Sequence, residues 1–154
     1  LATCSLSATV IVPAELGALA AEARVIARGR VVAVEGQVTG DRREIETLVT
    51  LEPESWLKAP AGAAPETVRF RVPGGQVGRY RRIVIGAPEF VVGQRIVVFL
   101  SGSAPRVPHL VGLAQGVFRV SGAGGATIVA NRATAAMSLV AFEARVRTLT
   151  EGAR

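Results

Sequence analysis

Residues able to perform acid–base or metal chemistry are scarce in this chain of 154 residues. It has one histidine, His109, one aspartate, Asp41, and one cysteine, Cys4. A serine–histidine–carboxylate triad would have to combine His109 with Asp41 or a glutamate, and a zinc site would lack a second histidine or cysteine. Neither arrangement has a recognisable motif here. We therefore expect a protein that is not an enzyme, with no catalytic, cofactor-binding or metal-binding residues.

A second candidate for chemistry is the basic cluster "RYRR", formed by Arg79, Tyr80, Arg81 and Arg82 within the glycine-rich stretch 72–90. One ring and three positive charges suit stacking on a base and contact with phosphates. However, phosphate-binding glycine loops join a strand to a helix, whereas a β-like sequence continues here. Two interpretations stay open: a lip that contacts a partner, or a plain connection between strands. Within the stretch, Val77, Ile83 and Ile85 at most are expected to be core residues, whereas the flanking Val72 and Phe90 should be core. Arg79, Arg81 and Arg82 are expected to lack acidic partners.

The net charge of the chain is a weaker indication of nucleic-acid binding than its magnitude suggests. The net charge is +6 and the pI is about 11.2, as in many nucleic-acid binders. Every basic residue except Lys58 and His109 is an arginine, and the arginines are scattered rather than gathered in one run. Such a composition is typical of a GC-rich coding sequence. We therefore expect a protein or an extracellular polymer as the partner, rather than nucleic acid.

The first residues have the composition of the end of a secretory signal peptide. Residues 1–8, "LATCSLSA", are small and apolar, and small residues precede a signal-peptidase cleavage site. We expect an extracytoplasmic mature protein that begins near Thr9, with residues 9–154 as one domain. Two alternatives are a lipid anchor on Cys4 and an ordinary N-terminal strand. No later apolar stretch reaches the ~18 residues of a membrane span.

The rest of the chain predicts an all-β fold with flanking helices. A short helix is expected at 13–23, and a C-terminal helix capped by Ser138 should bury Leu139, Phe142, Val146 and Leu149. Between them lie short valine-rich segments separated by turn residues, as in a β-sandwich or β-barrel. The predicted strands are 23–36, 43–58, 66–72, 94–100, 109–114, 116–121 and 126–130.

The alternation of residue types along the first two strands indicates on which face of the sheet each side chain lies. Small residues of the first strand, from Val25 to Ala33, share one side and would allow close backbone approach in a narrow barrel. Arg28, Arg30 and Val34 lie on the other side, where glutamates of the second strand can pair with the two arginines. Leu48 is predicted to be an exposed exception. A turn at 39–42 would use the Asp41 side chain to bond nearby backbone.

Two further side chains have alternative roles in such a barrel. Gln115, in "GLAQG", either places an amide in the barrel mouth or bonds backbone at a β-bulge. Trp56, at the end of a strand, either closes one end of the barrel or contacts a partner.

The segments "ARVIARGRVVAVEG", "VTLEPESWLKAP", "VRFRVPGGQVG", "GAPEFVVGQRIVVFL" and "GLAQGVFRV" together resemble an uncharacterised family of secreted bacterial β-barrel proteins. More distantly, residues 22–57 are similar to the netrin-like, OB-type domain of tissue inhibitors of metalloproteases. The resemblance implies a closed or partly open OB-like barrel with a short N-terminal and a C-terminal helix. Those inhibitors insert an N-terminal Cys-x-Cys motif into the protease zinc site, and this chain has only Cys4.

These observations predict a secreted, non-catalytic β-barrel that binds a protein or polymer. One alternative is a protease-associated or metalloprotease-inhibitor-like module, which the distant resemblance implies. A second alternative is an oligonucleotide-binding OB barrel, which the basic cluster would serve.

Overall fold

The computed structural model describes residues 15–40, 44–102, 105–123, 126–131 and 135–152. The described chain is mostly β, with one short helix before the strands and one helix after them. The helices are α1 (Leu16–Glu22), a 3-10 helix (Leu113–Gly116) and α2 (Leu139–Glu151). The strands are β1 (Val25–Thr39), β2 (Glu44–Lys58), β3 (Val68–Pro73), β4 (Gly75–Val77), β5 (Tyr80–Arg82), β6 (Arg95–Ser101), β7 (His109–Leu110), β8 (Val117–Ala123), β9 (Ala126–Ala130) and β10 (Met137–Ser138).

Most predicted elements are confirmed, with one clear error. The segment 109–114 was expected to be a single strand, but only His109 and Leu110 pair in β7. Gly112 then takes a left-handed conformation with φ 63°, and the chain continues as the 3-10 helix. Because glycine adopts this conformation at little cost, it ends the strand early. Cys4, Asp41 and the proposed leader 1–8 lie outside the described residues.

The strands join in an eight-stranded sheet in which β1 has two partners. The order is β1-β2-β3-β7-β6-β8-β9-β10, and β1 also pairs with β6. Pairing therefore runs from β1 through β2, β3, β7 and β6 and returns to β1. All pairs in this circuit are antiparallel except β3 with β7, which is parallel and joins at Arg71 and His109. Strands β4 and β5 form a separate hairpin.

Two hydrophobic clusters lie on opposite faces of the sheet. The inner cluster contains side chains of β1, β2, β3, β6, β7 and β8, and its largest fully buried side chain is Phe70. The outer cluster lies between the sheet and the two helices and contains Phe99, Phe118 and Phe142. Strand β6 contributes to both: Ile96, Val98 and Leu100 to the inner cluster, Val97 and Phe99 to the outer one. This strand is consequently buried on both faces.

The small side of β1 faces the inner cluster, as predicted from its composition. Ala27 and Val31 are fully buried there. At Gly29 the backbone of β2 approaches so closely that an added Cβ would overlap the carbonyl oxygen of Glu52. A register shift between Val31 and Ala33 then reverses the alternation. As a result Val34 packs against the inner cluster, although the sequence placed it on the opposite face.

Leu48 is not exposed, contrary to the prediction. Its side chain is only 7% exposed although it belongs to neither cluster. On the adjacent strands it pairs with Glu35 and Arg71. Long side chains directly beside a leucine on one sheet face can cover it with their aliphatic parts. A prediction of burial from the alternation of residue types alone does not include this effect.

The predicted ion pairs between the first two strands are present, and one arginine has an additional partner. Arg30 faces Glu52 across the pair, with 3.5 Å between charged atoms. Arg28 contacts Glu54 of β2 at 2.7 Å and also Glu143 of α2 at 2.6 Å. Glu54 also accepts from Arg95 of β6 at 2.8 Å. Charged groups thus connect β1, β2, β6 and α2 beside the outer cluster.

The two helices are fixed at one end each by polar contacts. Lys58 donates to the carbonyl oxygens of Ala23, at 2.5 Å, and Ala20, at 3.2 Å, at the C-terminus of α1. A positive charge there satisfies carbonyl groups that have no partner within the helix, and it is attracted to the negative end of the helix dipole. Ser138 caps α2, as predicted, and its Oγ accepts from the N–H of Ala141 at 3.2 Å. Phe142 and Val146 of α2 are buried as expected.

Replacing Gly29 by alanine should destabilise the protein by about 1–3 kcal/mol, because the added methyl group has no space beside the β2 backbone. Urea denaturation would measure the change in unfolding free energy. Gly122→Ala, in β8, is the matched control because no atom lies within 4 Å of its added Cβ. Equal stability of the two variants would contradict this packing.

Lowering the pH should weaken the fold through Glu54. The hydrogen bond from Arg95 lowers the pKa of this carboxyl below its ordinary 4.5, and attraction by Arg95 and Arg28 adds to the effect. A group with a lower pKa in the folded state contributes stability above its unfolded pKa and loses it as the pH falls through its folded pKa. Glu54→Gln should therefore reduce the pH dependence of the unfolding free energy between about pH 6 and about pH 3.

The measurement is urea denaturation at a series of pH values. Glu66→Gln is the control, because Glu66 is exposed and forms no ion pair with another described residue. It should leave the wild-type pH profile intact. A Glu54→Gln profile parallel to that of the wild type would show that this carboxyl does not contribute.

Candidate functional site

The stretch between β3 and β6 is an ordered excursion from the sheet, here called the lip segment (residues 74–92). Its first part is the hairpin β4–β5, with a tight turn at Gly78 and Arg79. Gly78 has φ 57°, which suits a hairpin turn of this length. The segment returns to the sheet where the Gly93 N–H donates to the carbonyl oxygen of Val31 at 2.8 Å. The hairpin itself was not predicted.

The hairpin rests on the ends of β1 and β2. At Gly36 the backbone of Gln76 comes so close that a Cβ on Gly36 would overlap its carbonyl oxygen. Thr47 Oγ1 donates to the carbonyl oxygen of Gly74 at 2.8 Å. These contacts are few, and they involve backbone more than side chains. The hairpin is therefore positioned by the sheet without being part of its core.

A cleft of about 410 Å³ lies between the lip segment and the end of the inner cluster. Its floor includes Val34, Thr47 and Val72 of the sheet. Phe90 of the lip segment also lines it and packs edge-on against Phe70, with 5.5 Å between ring centres. Val72 is core, as predicted, and Phe90 is half-buried against the inner cluster. The cleft thus opens where the enclosed core ends.

The basic cluster belongs to this hairpin, but two of its arginines have acidic partners. Arg81 lies 3.6 Å from Glu89, and Arg82 lies 3.5 Å from Glu44. The sequence analysis predicts no acidic partner for these arginines, so this prediction is wrong for Arg81 and Arg82. Exposed pairs at such distances contribute about 0–1 kcal/mol, so a partner's carboxylates can replace them at small cost. Arg79 lies over the Tyr80 ring, 5.6 Å from its centre.

Apolar side chains of the lip segment are unusually exposed. Five of the eight large hydrophobic residues exposed in the described part of the chain lie between positions 80 and 92. Tyr80 is 64% exposed, Ile83 76%, Ile85 90%, Val91 62% and Val92 60%. Sequence reasoning allowed Ile83 and Ile85 as core positions at most. The signal that was missed is the sequence context of Ile83 and Ile85. These two β-branched residues are followed by glycine and proline, so no partner strand is available to bury them.

Gln115 lies in the 3-10 helix rather than at a β-bulge, so the bulge interpretation is wrong. Its backbone carbonyl accepts from Asn131 Nδ2 at 3.0 Å. The preceding N–H, of Ala114, donates to Gly86 of the lip segment at 3.2 Å. A second cleft of about 430 Å³ lies at this junction and includes Asn131 and Ala114 in its lining. The 3-10 helix thus contacts the lip segment through the backbone of Ala114.

Two further candidates, His109 and Trp56, lie apart from the lip segment in the described part of the chain. His109 is exposed and pairs with Arg71 across two strands. Trp56 is half-buried against the inner cluster, as a residue closing that end would be. Among the described residues, no group of three histidine, cysteine, aspartate or glutamate side chains could hold a metal ion. The described helices are also too short or too polar to cross a membrane.

No family model, curated protein or solved structure matches this chain.

Deleting the hairpin should leave the fold nearly intact. If Gly75–Ile83 is replaced by a short glycine–serine turn, few buried contacts are lost, and closing a loop of different length costs only about 0.6 kcal/mol per doubling. We expect the thermal midpoint to shift by no more than about 4 °C. Phe90→Ala is the contrasting variant, because it removes the ring contact with Phe70 and should lower the unfolding free energy by about 2–4 kcal/mol. Unfolding of the hairpin deletion would show that the hairpin is integral to the core.

Proposed function

We propose that this protein is a non-catalytic, extracytoplasmic binding module that holds a protein partner against its lip segment. The observation that carries the proposal is the exposure of Tyr80, Ile83, Ile85, Val91 and Val92 on one excursion beside a cleft. Contiguous exposed apolar side chains bordered by charges are typical of protein interaction sites. The extracytoplasmic location rests on the composition of residues 1–8.

The proposed scaffold is an OB-type barrel. Five strands pair in a circuit, β1-β2-β3-β7-β6 and back to β1, around a single hydrophobic cluster. A five-stranded Greek-key barrel of the OB type has such an enclosed core, and its loops at one end carry the ligand contacts. The circuit depends on one short parallel pairing between β3 and β7, so the barrel would be partly open at that seam.

The exposed apolar side chains of the lip segment can contribute part of the binding energy of a complex. Full burial of an aliphatic side chain stabilises an interface by about 1.5–3 kcal/mol before the costs of association. Ile83 and Ile85 offer most of their surface, and their flanking arginines favour a partner with carboxylates around an apolar centre. An aromatic and arginines around aliphatic residues are also the composition of interface hot spots.

An oligonucleotide fits this surface less well than a protein does. Tyr80 is the one aromatic of the hairpin, whereas single-strand binders stack successive bases on several rings. Arg81 and Arg82 already face glutamates. The metalloprotease-inhibitor alternative rests on resemblance alone, because the motif that such inhibitors use has no counterpart in the described residues.

Site-specific photo-crosslinking tests the proposal. A benzophenone amino acid at position 85, which is 90% exposed, should form a covalent adduct with one protein in cells that produce this chain. The matched control is position 140, since Val140 is 81% exposed but lies on α2, away from the lip segment. The adduct should also disappear when Tyr80 and Ile83 are both changed to serine.

The outcome is read on a gel and by mass spectrometry. A protein adduct specific to position 85 supports the proposal. Equal adducts at positions 85 and 140, or an adduct with nucleic acid or polysaccharide, would overturn it. Absence of any adduct at position 85 in the producing cells would count against a stable partner at the lip segment.

A further inference from the structure

Strand β1 has an unpaired edge beyond Val31. It pairs with β2 over residues 26–39 but with β6 only over residues 25–30. The last bonds on the β6 side are at Val31, whose N–H donates to Gln94 and whose carbonyl oxygen accepts from Gly93, each at 2.8 Å. The N–H of Gln94 donates to Val91 at 3.2 Å, so the chain turns away from β1 there. In the described part of the chain, no strand pairs with this edge from position 32 to position 39.

The register identifies which backbone groups point out from this edge. The carbonyl oxygen of Ile45 in β2 accepts from Gly74, on the β3 side, at 3.0 Å. Because the direction alternates along an antiparallel strand, the even-numbered residues in this part of β2 bond towards β1. Their register partners are the odd-numbered residues 35, 37 and 39 of β1. The N–H and C=O groups of Val34, Gly36 and Val38 therefore point away from β2, and on that side they have no backbone hydrogen bond to a described residue.

This edge is accessible to another molecule. Gly36 is exposed although Gln76 of the lip segment lies over the position that its Cβ would occupy. Because glycine has no side chain, the exposed surface of Gly36 is backbone. Val38 is 54% exposed. An accessible, unpaired strand edge is a template for pairing with another chain.

The edge also borders the cleft of about 410 Å³ beside the lip segment. Val34 lines this cleft from β1, and Gln76 and Val91 line it from the lip segment. Residues directly opposite each other in paired strands have their side chains on the same face. A strand added at the edge would therefore direct the side chain opposite Val34 towards the cleft.

The other face of the edge carries a negative charge. Glu35 lies between Val34 and Gly36, so its side chain points to the opposite face, where it is exposed. It forms no ion pair with another described residue. A basic residue directly opposite a glutamate on the next strand stabilises the pair.

We infer that this edge of β1 takes up an extended segment of the protein partner, with a basic residue opposite Glu35 and an apolar residue on each side of it. In such strand addition, backbone hydrogen bonds give affinity and alternate side chains give specificity. The inference rests on the proposed function, because the segment belongs to the partner that the lip segment holds.

A polypeptide fits this edge better than an anionic polymer does. The outward backbone groups recur at every second residue, about 6.5–7 Å apart, which is the spacing of another extended chain. A nucleic acid or an acidic polysaccharide would meet the like charge of Glu35 at the centre of the edge.

The test measures binding of the fluorescein-labelled peptide Ser-Thr-Val-Lys-Val-Thr-Ser by fluorescence anisotropy. Methylation of both valine nitrogens removes the donors that face Val34 and Gly36, and it should weaken binding at least about tenfold. Methylation of the lysine nitrogen is the matched control, because that nitrogen points away from β1 when the lysine is opposite Glu35. It should weaken binding less than about threefold.

Variants of the protein test the same contacts from the other side. Val38→Pro removes one edge donor without removing a bond to β2, so it should weaken binding at least about threefold. Val38→Ala keeps the N–H group and should change binding less than about twofold. Glu35→Lys should weaken binding more than Glu66→Lys, which makes the same charge change at another exposed position. Urea denaturation checks that each variant is folded.

Amide hydrogen exchange gives a second readout on the unmodified protein. Without the peptide, the amides of Gly36 and Val38 should exchange faster than those of Glu35 and Gln37, which bond to β2, and the peptide should slow them. Slow exchange at Gly36 without the peptide, no binding of the peptide, or equal binding of the two methylated peptides would each overturn the inference.

Photo-crosslinking at position 85 separates this inference from the proposed function. If Val38→Pro leaves the adduct unchanged, the lip segment holds a partner that does not use the edge, and only the inference fails. If the unmodified edge gives no adduct at position 85, the proposed function fails, and the peptide measurements still decide whether the edge adds a strand.

Discussion

The architecture depends on one strand that is buried on both of its faces. Strand β6 supplies alternate side chains to the inner and outer clusters, so neither cluster can form without it. At ~25 cal/mol per Å² of apolar surface, such double burial is the largest favourable contribution that a single strand can make. It also requires that the strands paired with β6, which are β1, β7 and β8, be in place. The helices then cover the side of β6 that faces away from the enclosed core.

The distribution of charge follows from this arrangement. Because the core clusters occupy both faces near β6, ion pairs form at their borders, as between Arg28, Glu54 and Glu143. The lone lysine is used at a helix end, and the arginines of the hairpin pair with Glu44 and Glu89. The surface proposed for binding is thus a place where the fold leaves apolar area without a structural use.

Sequence patterns predicted the parts of this fold that depend on local alternation. The long strands, the buried Val72 and the capped C-terminal helix follow from period and turn residues alone. The errors arose where contacts between residues far apart in the sequence determine the structure. A register shift reversed the face of Val34, long neighbours on adjacent strands buried Leu48, and a left-handed glycine shortened β7.

The candidate sites were harder to predict than the fold. The "RYRR" cluster was found from its composition, but its hairpin and its acidic partners depend on Glu44 and Glu89, which lie elsewhere in the sequence.

The double burial of β6 has a consequence during synthesis of the chain. Residues 96–100, "IVVFL", are an uninterrupted apolar run with high β-propensity, and in an unfolded chain this run is a strong site for self-association. Arg95 stands directly before it, in the position of a gatekeeper that discourages stacking of like segments. A mutation that delays its burial would therefore cause loss of soluble protein before any loss of affinity became measurable.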